Sequence, residues 1–258
     1  QETVEYVPKE AFLNRVKNVK YLDPSHPEAR EILDSDLRLF IDWGYELIKH
    51  DYSTYDLFGR YGFAIKDKIT DDGWHFHDRT RTSAEIVIDF YQTIKDAAGD
   101  AVIIGCNAIG HLCAGLHQLN RIGDDTSGFD WQRTVTMGVN TVAMRLCQQG
   151  RFFGADGDCV GIMGPIDWSL NRRWLKLLAE SGTPLFVSCK PDVPDEDAKR
   201  DLREALRAAF RRASTAEDVM IPLDWMECAT PRVYLVNGET VTFDWYPETG
   251  ADTFRPGV

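Results

Sequence analysis

Glu46-Leu47-Ile48-Lys49-His50-Asp51 is a short apolar run that ends in a carboxylate. Read as a β-strand it alternates sides with a period of two, so Lys49 and Asp51 point the same way. A cation beside a carboxylate favours the ionised form, which a nucleophile requires. The same spacing also fits an ordinary strand-end ion pair. Working outward, further strand candidates fall at 19–22, 101–106, 119–122, 151–155 and 184–188. Polar residues follow each at once: Asp23-Pro24-Ser25-His26, Asn107, Gly123-Asp124-Asp125, Asp156-Gly157-Asp158 and Lys190-Pro191-Asp192. Helical patterns occupy 27–45, 82–98, 131–149, 167–181 and 195–213, with Pro27 suited to a first turn and Gly182 to a stop.

Strands that alternate with helices predict an α/β fold with a parallel sheet. Polar residues spread over the ends of all the strands predict a TIM-type (β/α)8 barrel, whose chemistry sits at the strand C-termini. An open doubly wound sheet is the rival, but no GxGxxG follows any strand. Only six strand–helix units are visible and the residues ahead of them are too few for two more, so either the β-tail does something unexpected or, as expected here, the first two of eight are missing and the chain is part of a larger polypeptide. The tail changes character. Runs at 219–224, 232–236 and 240–245, with Asn237-Gly238 between the last two, predict the start of an antiparallel β module. The expected domains are therefore a partial barrel at 1–218 and the beginning of a C-terminal β domain at 219–258.

Composition narrows the function. The 258 residues carry 41 acidic against 29 basic side chains, a net charge of −12, which disfavours a nucleic-acid partner. No apolar run approaches the roughly 20 residues needed to span a bilayer, so no membrane partner is expected. The chain reads as soluble, without a signal peptide in these residues, and its compartment is left open. Of the six cysteines, Cys106, Cys113, Cys147 and Cys189 sit in apolar contexts and are expected to be buried thiols. His75-Phe76-His77-Asp78 puts two imidazoles on one side of an extended segment, but no third ligand is spaced with them, so no metal and no cofactor are expected.

Asp125, in Arg121-Ile122-Gly123-Asp124-Asp125-Thr126, is the second carboxylate of interest. Adjacent acids there suit a helix N-cap. They also suit a proton donor, and with Asp51 they make the carboxylate pair that glycoside hydrolysis uses. Tyr52, Tyr55, Phe58, Tyr61, Phe63, Trp74 and Phe76 make the segment after Asp51 rich in aromatics, a candidate platform for a sugar ring, or packing for the loop itself.

These pieces together resemble the catalytic barrel of the glycoside hydrolase family 36 α-galactosidases and their family 27 relatives. The match runs in barrel order through Tyr21–Pro27, Trp43–Asp51, Gly105-Cys106-Asn107 and Arg121–Thr126. The resemblance implies a retaining exo-glycosidase that removes terminal α-linked galactose by double displacement. It places the nucleophile at Asp51 and the acid at Asp125, with Asp124 as the alternative acid. It assigns Lys49, Cys106, Asn107 and Arg121 to the sugar, with Trp74 on the aromatic segment. The implied partners are an α-galactoside and either the upstream part of the same enzyme or further copies of the chain. Two alternatives stand beside it: a non-catalytic carbohydrate-binding or structural barrel fragment, and a related α-glycosidase acting on another sugar such as α-N-acetylgalactosamine.

Overall fold

The structure, a computed structural model, describes residues 23–58, 75–214 and 220–247. The chain forms two compact units, Gln1–Asn120 and Arg121–Val258.

In the first unit, helix α1 (Pro27–Asp42) begins with a proline in its opening turn and stops at Gly44, whose φ of 89° is left-handed. That glycine ends the helix three residues short of the expected 27–45. Strand β1 (Leu47–His50) follows, then a short helix α2 (Ser53–Phe58) inside what the sequence presents as loop. Helix α3 (Ser83–Ala98) opens with a capping box in which Thr82 Oγ1 accepts from the Glu85 N–H and the Glu85 carboxylate accepts from the Thr82 N–H. Its apolar face, Ile86, Val87, Tyr91, Ile94 and Ala98, is buried, and Arg30 of α1 pairs with Asp89 at 2.5 Å. Strand β2 (Val102–Gly105) lies parallel to β1 in the register Leu47↔Val102 to His50↔Gly105. Strand β3 (Leu119–Arg121) is parallel to β2, with Gly105↔Asn120. The division between the units falls within it.

In the second unit the expected helix at 131–149 is broken. It comprises α4 (Trp131–Arg133), a π-helical stretch (Thr134–Val139), α5 (Asn140–Arg145) and a 3₁₀ turn (Leu146–Gln148). The β-branched run Thr134-Val135-Thr136 is a poor helix former, and the Thr141 hydroxyl bonds back to the Met137 carbonyl. Strands β4 (Gly154–Asp156) and β5 (Cys159–Ile162) are separated by Gly157-Asp158. The sequence reading ended the strand at Ala155 and missed β5, whose Gly161 weakens the pattern. Gly161 is there for close approach: a Cβ on it would lie 2.6 Å from the Gly128 Cα. Helix α6 (Trp168–Ser181) buries Trp174, Leu175, Leu177 and Leu178, and strand β6 (Phe186–Cys189) pairs parallel with β5. Helix α7 (Glu196–Ser214) packs on α6, and its buried Arg212 donates to the Glu180 carbonyl and to Asn237 Oδ1.

The tail is an antiparallel sheet of β7 (Ile221–Pro222), β8 (Val233–Val236) and β9 (Glu239–Thr242). Asn237 (φ 52°) and Gly238 (φ 78°) make the tight turn that the pair predicts. Trp245 stacks on Phe243 at 4.8 Å and accepts through its carbonyl from Trp131 Nε1.

The α/β alternation is thus observed, with parallel strands in separate sheets that do not close into a ring among the described residues. The strand candidate at 19–22 lies outside the described residues. No described helix is long and apolar enough to cross a membrane. None of the six cysteines, all among the described residues, is in a disulfide. Cys106 and Cys113 are buried as expected, whereas Cys147 and Cys189 are exposed, because one sits on a 3₁₀ turn and the other ends β6 on its open side.

Candidate active site

Asp51 leaves the end of β1 beside Cys106, whose N–H donates to the His50 carbonyl at 2.9 Å. The exposed carboxylate accepts from the Tyr52 N–H at 2.6 Å and from Asn107 Nδ2 at 2.8 Å, both on Oδ1. Tyr52 (φ 60°) and Asn107 (φ 52°) both adopt left-handed backbone. Asn tolerates that conformation, while a tyrosine there is strained, a condition common beside functional groups. The Asn107 carbonyl accepts from the Thr54 N–H at 3.0 Å and from Ser53 Oγ at 3.2 Å, so the start of α2 anchors the loop after β2. Partial burial pushes the Asp51 carboxyl upward. The hydrogen bonds from Asn107, Tyr52 and Cys106 and the charge of Lys49 outweigh that push, and the group ends below the usual carboxylate range. Asp51 is therefore held as the anion.

Two imidazoles lie next to this strand end. His50 and His117 meet Nε2 to Nε2 at 3.2 Å, so one donates and the other accepts. The Tyr91 ring lies within 5.9 Å and 4.9 Å of them, centroid to centroid. Burial first, and the proximity of His117 second, push His50 down to about 3 against the upward pull of Asp51. Burial pushes His117 down to about 4, against a hydrogen bond to Asn120 that favours the charged ring. Both are neutral near pH 7.

In the second unit, Arg121 closes β3 with a guanidinium only 9% exposed. It reaches Asp158 Oδ1 through Nη2 at 2.7 Å, Asp156 Oδ2 through Nε at 3.2 Å and Asp125 Oδ1 through Nη1 at 3.1 Å. Asp125 is itself exposed. Asp158 Oδ2 accepts from the N–H of Thr126 at 2.7 Å and from its hydroxyl at 3.1 Å, and that hydroxyl also meets the Cys159 carbonyl. Asp130 caps α4 by accepting from the Arg133 N–H. The Arg133 side chain then bonds the Asp125 carbonyl at 2.6 Å and Asp124 Oδ2 at 2.8 Å. The helix cap thus falls to Asp130, and Asp124 and Asp125 are not spent on it.

The first unit brings Asp51, Cys106 and Asn107 together, with Lys49 one strand turn away on the exposed side. The second brings Arg121 to Asp125, and ties Asp124 to Arg133. Trp74 lies outside the described residues, as do Tyr61 and Phe63. The aromatic platform is otherwise corrected: Tyr55, Phe58 and Phe76 are buried, Phe58 and Phe76 edge to face at 5.9 Å, and Tyr52 is exposed beside Asp51. The His77 N–H donates to Asp23 Oδ2, and its ring lies 4.5 Å from that of His26. No group of three or more His, Cys, Asp or Glu able to hold a metal ion occurs among the described residues. Sequence reasoning missed Arg133 and the link between Thr126 and Asp158. The Asp130-x-x-Arg133 spacing and the threonine after the acid pair were the available signals.

Parallel strands with functional side chains at their C-terminal ends are the arrangement of (β/α)8-barrel glycoside hydrolases, and the chain shares part of that fold. It is similar to an α-galactosidase from Thermus thermophilus in complex with p-nitrophenyl α-D-galactopyranoside, with a TM-score of 0.56 and 18% identity over 85% of this chain. It is also similar to a family 31 α-glucosidase from Bacteroides thetaiotaomicron (TM-score 0.51, 17% identity, 84% of this chain). A GH27 β-L-arabinopyranosidase from Geobacillus stearothermophilus matches with a TM-score of 0.50 and 16% identity over 71% of the chain. The chain spans 42%, 38% and 42% of those proteins, respectively. No protein-family profile and no curated protein sequence matches it.

Proposed function

We propose that the chain carries the catalytic carboxylates of a retaining exo-glycosidase that removes terminal α-linked galactose. The supporting observation is Asp51: an exposed carboxylate at a strand C-terminus, held below the usual carboxylate range by Asn107, Tyr52 and Cys106. In this reading the Asp51 carboxylate attacks the anomeric carbon as the glycosidic C–O bond breaks, and Asp125 gives its proton to the departing oxygen. Asp125 then takes a proton from water, which attacks the anomeric carbon and frees Asp51. Asp124 is the alternative donor. Lys49 and Arg121 face sugar hydroxyls, Cys106 and Asn107 shape the pocket, and Trp74 supplies an aromatic face. Residues 1–218 form the barrel portion and 219–258 begin a C-terminal β domain.

The test is hydrolysis of p-nitrophenyl α-D-galactopyranoside by the chain and by Asp51→Asn. Loss of at least about 1000-fold in kcat is expected when the nucleophile is removed. Undiminished hydrolysis by the variant ends the assignment. The alternative reading is a non-catalytic carbohydrate-binding or structural barrel. Galactose binding by calorimetry without hydrolysis selects it.

A further inference from the structure

Asp156-Gly157-Asp158 joins two short strands and is nearly solvent-free: the side chains of Asp156 and Asp158 are 4% and 10% exposed. Asp158 is held at φ 74°, a conformation that costs a non-glycine residue energy. Its N–H donates to Asp156 Oδ1 at 2.8 Å. The two carboxylates grip one guanidinium, that of Arg121, whose remaining arm reaches Asp125. On its other oxygen Asp158 takes both donors of Thr126, the residue next to Asp125. The same loop is pressed onto β5 at Gly128 and Gly161, where only backbone fits.

Burying two carboxylates on one guanidinium contributes little net stability, because desolvation offsets most of the attraction. What such a network supplies is geometry. We propose that Asp158 is a positioning residue for the acid: it fixes the Asp125 carboxyl from two sides, through Arg121 and through Thr126. This rests on the reading of Asp125 as the proton donor. Asp156 completes the cradle and orients the Asp158 backbone.

Positioning of an acid has a signature that loss of structure lacks. A leaving group that needs protonation is slowed, and one that departs as a stable anion is not. Asp158→Asn keeps the size and an acceptor for Thr126, but gives up the charge and turns an amide donor toward Arg121 Nη2. In kcat/KM, Asp158→Asn is expected to slow phenyl α-D-galactopyranoside about 10- to 100-fold and 2,4-dinitrophenyl α-D-galactopyranoside less than about threefold. Thr126→Val should show the same selectivity at smaller size and serves if Asp158→Asn does not fold. Equal losses on both substrates overturn the proposal. Asp125→Asn is the control for the underlying reading: if it lacks this selectivity while Asp51→Asn is inactive, the choice of acid fails.

If the chain hydrolyses neither substrate, amide exchange decides the positioning role. Asp158→Asn should speed exchange across 122–129 and leave α3 unchanged. Unaltered exchange across 122–129 overturns the proposal.

Discussion

The His50–His117 imidazole pair makes acid lability of the first unit a quantitative expectation. His50 and His117 are held neutral, down to about 3 and about 4, against an ordinary value of 6.5. Below pH 6.5 the unfolded chain takes up protons that the folded chain refuses, so stability is complete above that value and is lost as the pH falls towards 4 and then 3. At pH 5 the gap is 1.5 pH units for each group, or about 2 kcal/mol per imidazole at 1.36 kcal/mol per unit and about 4 kcal/mol for the pair. That is a large share of a typical domain stability of roughly 5–15 kcal/mol. Asp51, held below the usual carboxylate range, stays ionised between pH 8 and 5 and adds nothing to the slope.

The assay is amide exchange resolved by peptide, corrected for intrinsic rates, over β2 and the buried face of α3. Protection should fall about a thousandfold from pH 8 to pH 5. His117→Phe keeps an aromatic ring against His50 and Tyr91 but removes one titrating group. Its baseline drops because His50 loses a hydrogen-bond partner, while its fall between the two pH values shrinks to about 30-fold. Protection that is flat from pH 8 to 5, or a slope unchanged in His117→Phe, refutes the reasoning.

Other expectations concern the two carboxylate neighbourhoods. Asn107→Ala removes a donor to Asp51, so the carboxyl rises and the acid limb of kcat/KM moves to higher pH. Asn107→Gly accepts the φ of 52° without strain and should move the limb equally, which separates hydrogen bonding from backbone effects. An unmoved limb in both variants removes Asn107 from that role. Gly161→Ala forces a methyl to 2.6 Å from the Gly128 Cα, where no side chain can yield. It should cost about 1–3 kcal/mol and lower the melting of the near-ultraviolet signal of buried Trp174 and Trp245. An unchanged transition would show that the two backbones separate freely.

The sequence made β1 legible because Leu47-Ile48 is apolar, the strand is short and its polar end is abrupt. The alternation that puts Lys49 with Asp51 needs only the period of a strand. The hairpin at Asn237-Gly238 was equally plain, since few residue pairs accept two positive φ values. What stayed hidden depends on partners far apart in the chain. Asp158 and Thr126 are 32 residues apart, and nothing in either neighbourhood names the other. Likewise Tyr55, Phe58 and Phe76 look like a sugar platform in composition, and only packing shows them to be core. The broken helix after Trp131 was a misreading of period, with the β-branched run and Gly138 available as warnings.

The uneven shelter of the thiols makes the second unit chemically addressable. Burial pushes Cys113 up to about 12 and Cys159 up to about 11, which leaves both inert to alkylating dyes near neutral pH. Cys147 and Cys189 stand in solvent. A maleimide fluorophore or spin label would therefore settle on the 3₁₀ turn and on the tip of β6. Cys106, beside Asp51, would be left untouched, so a reporter could be installed without altering the Asp51 neighbourhood.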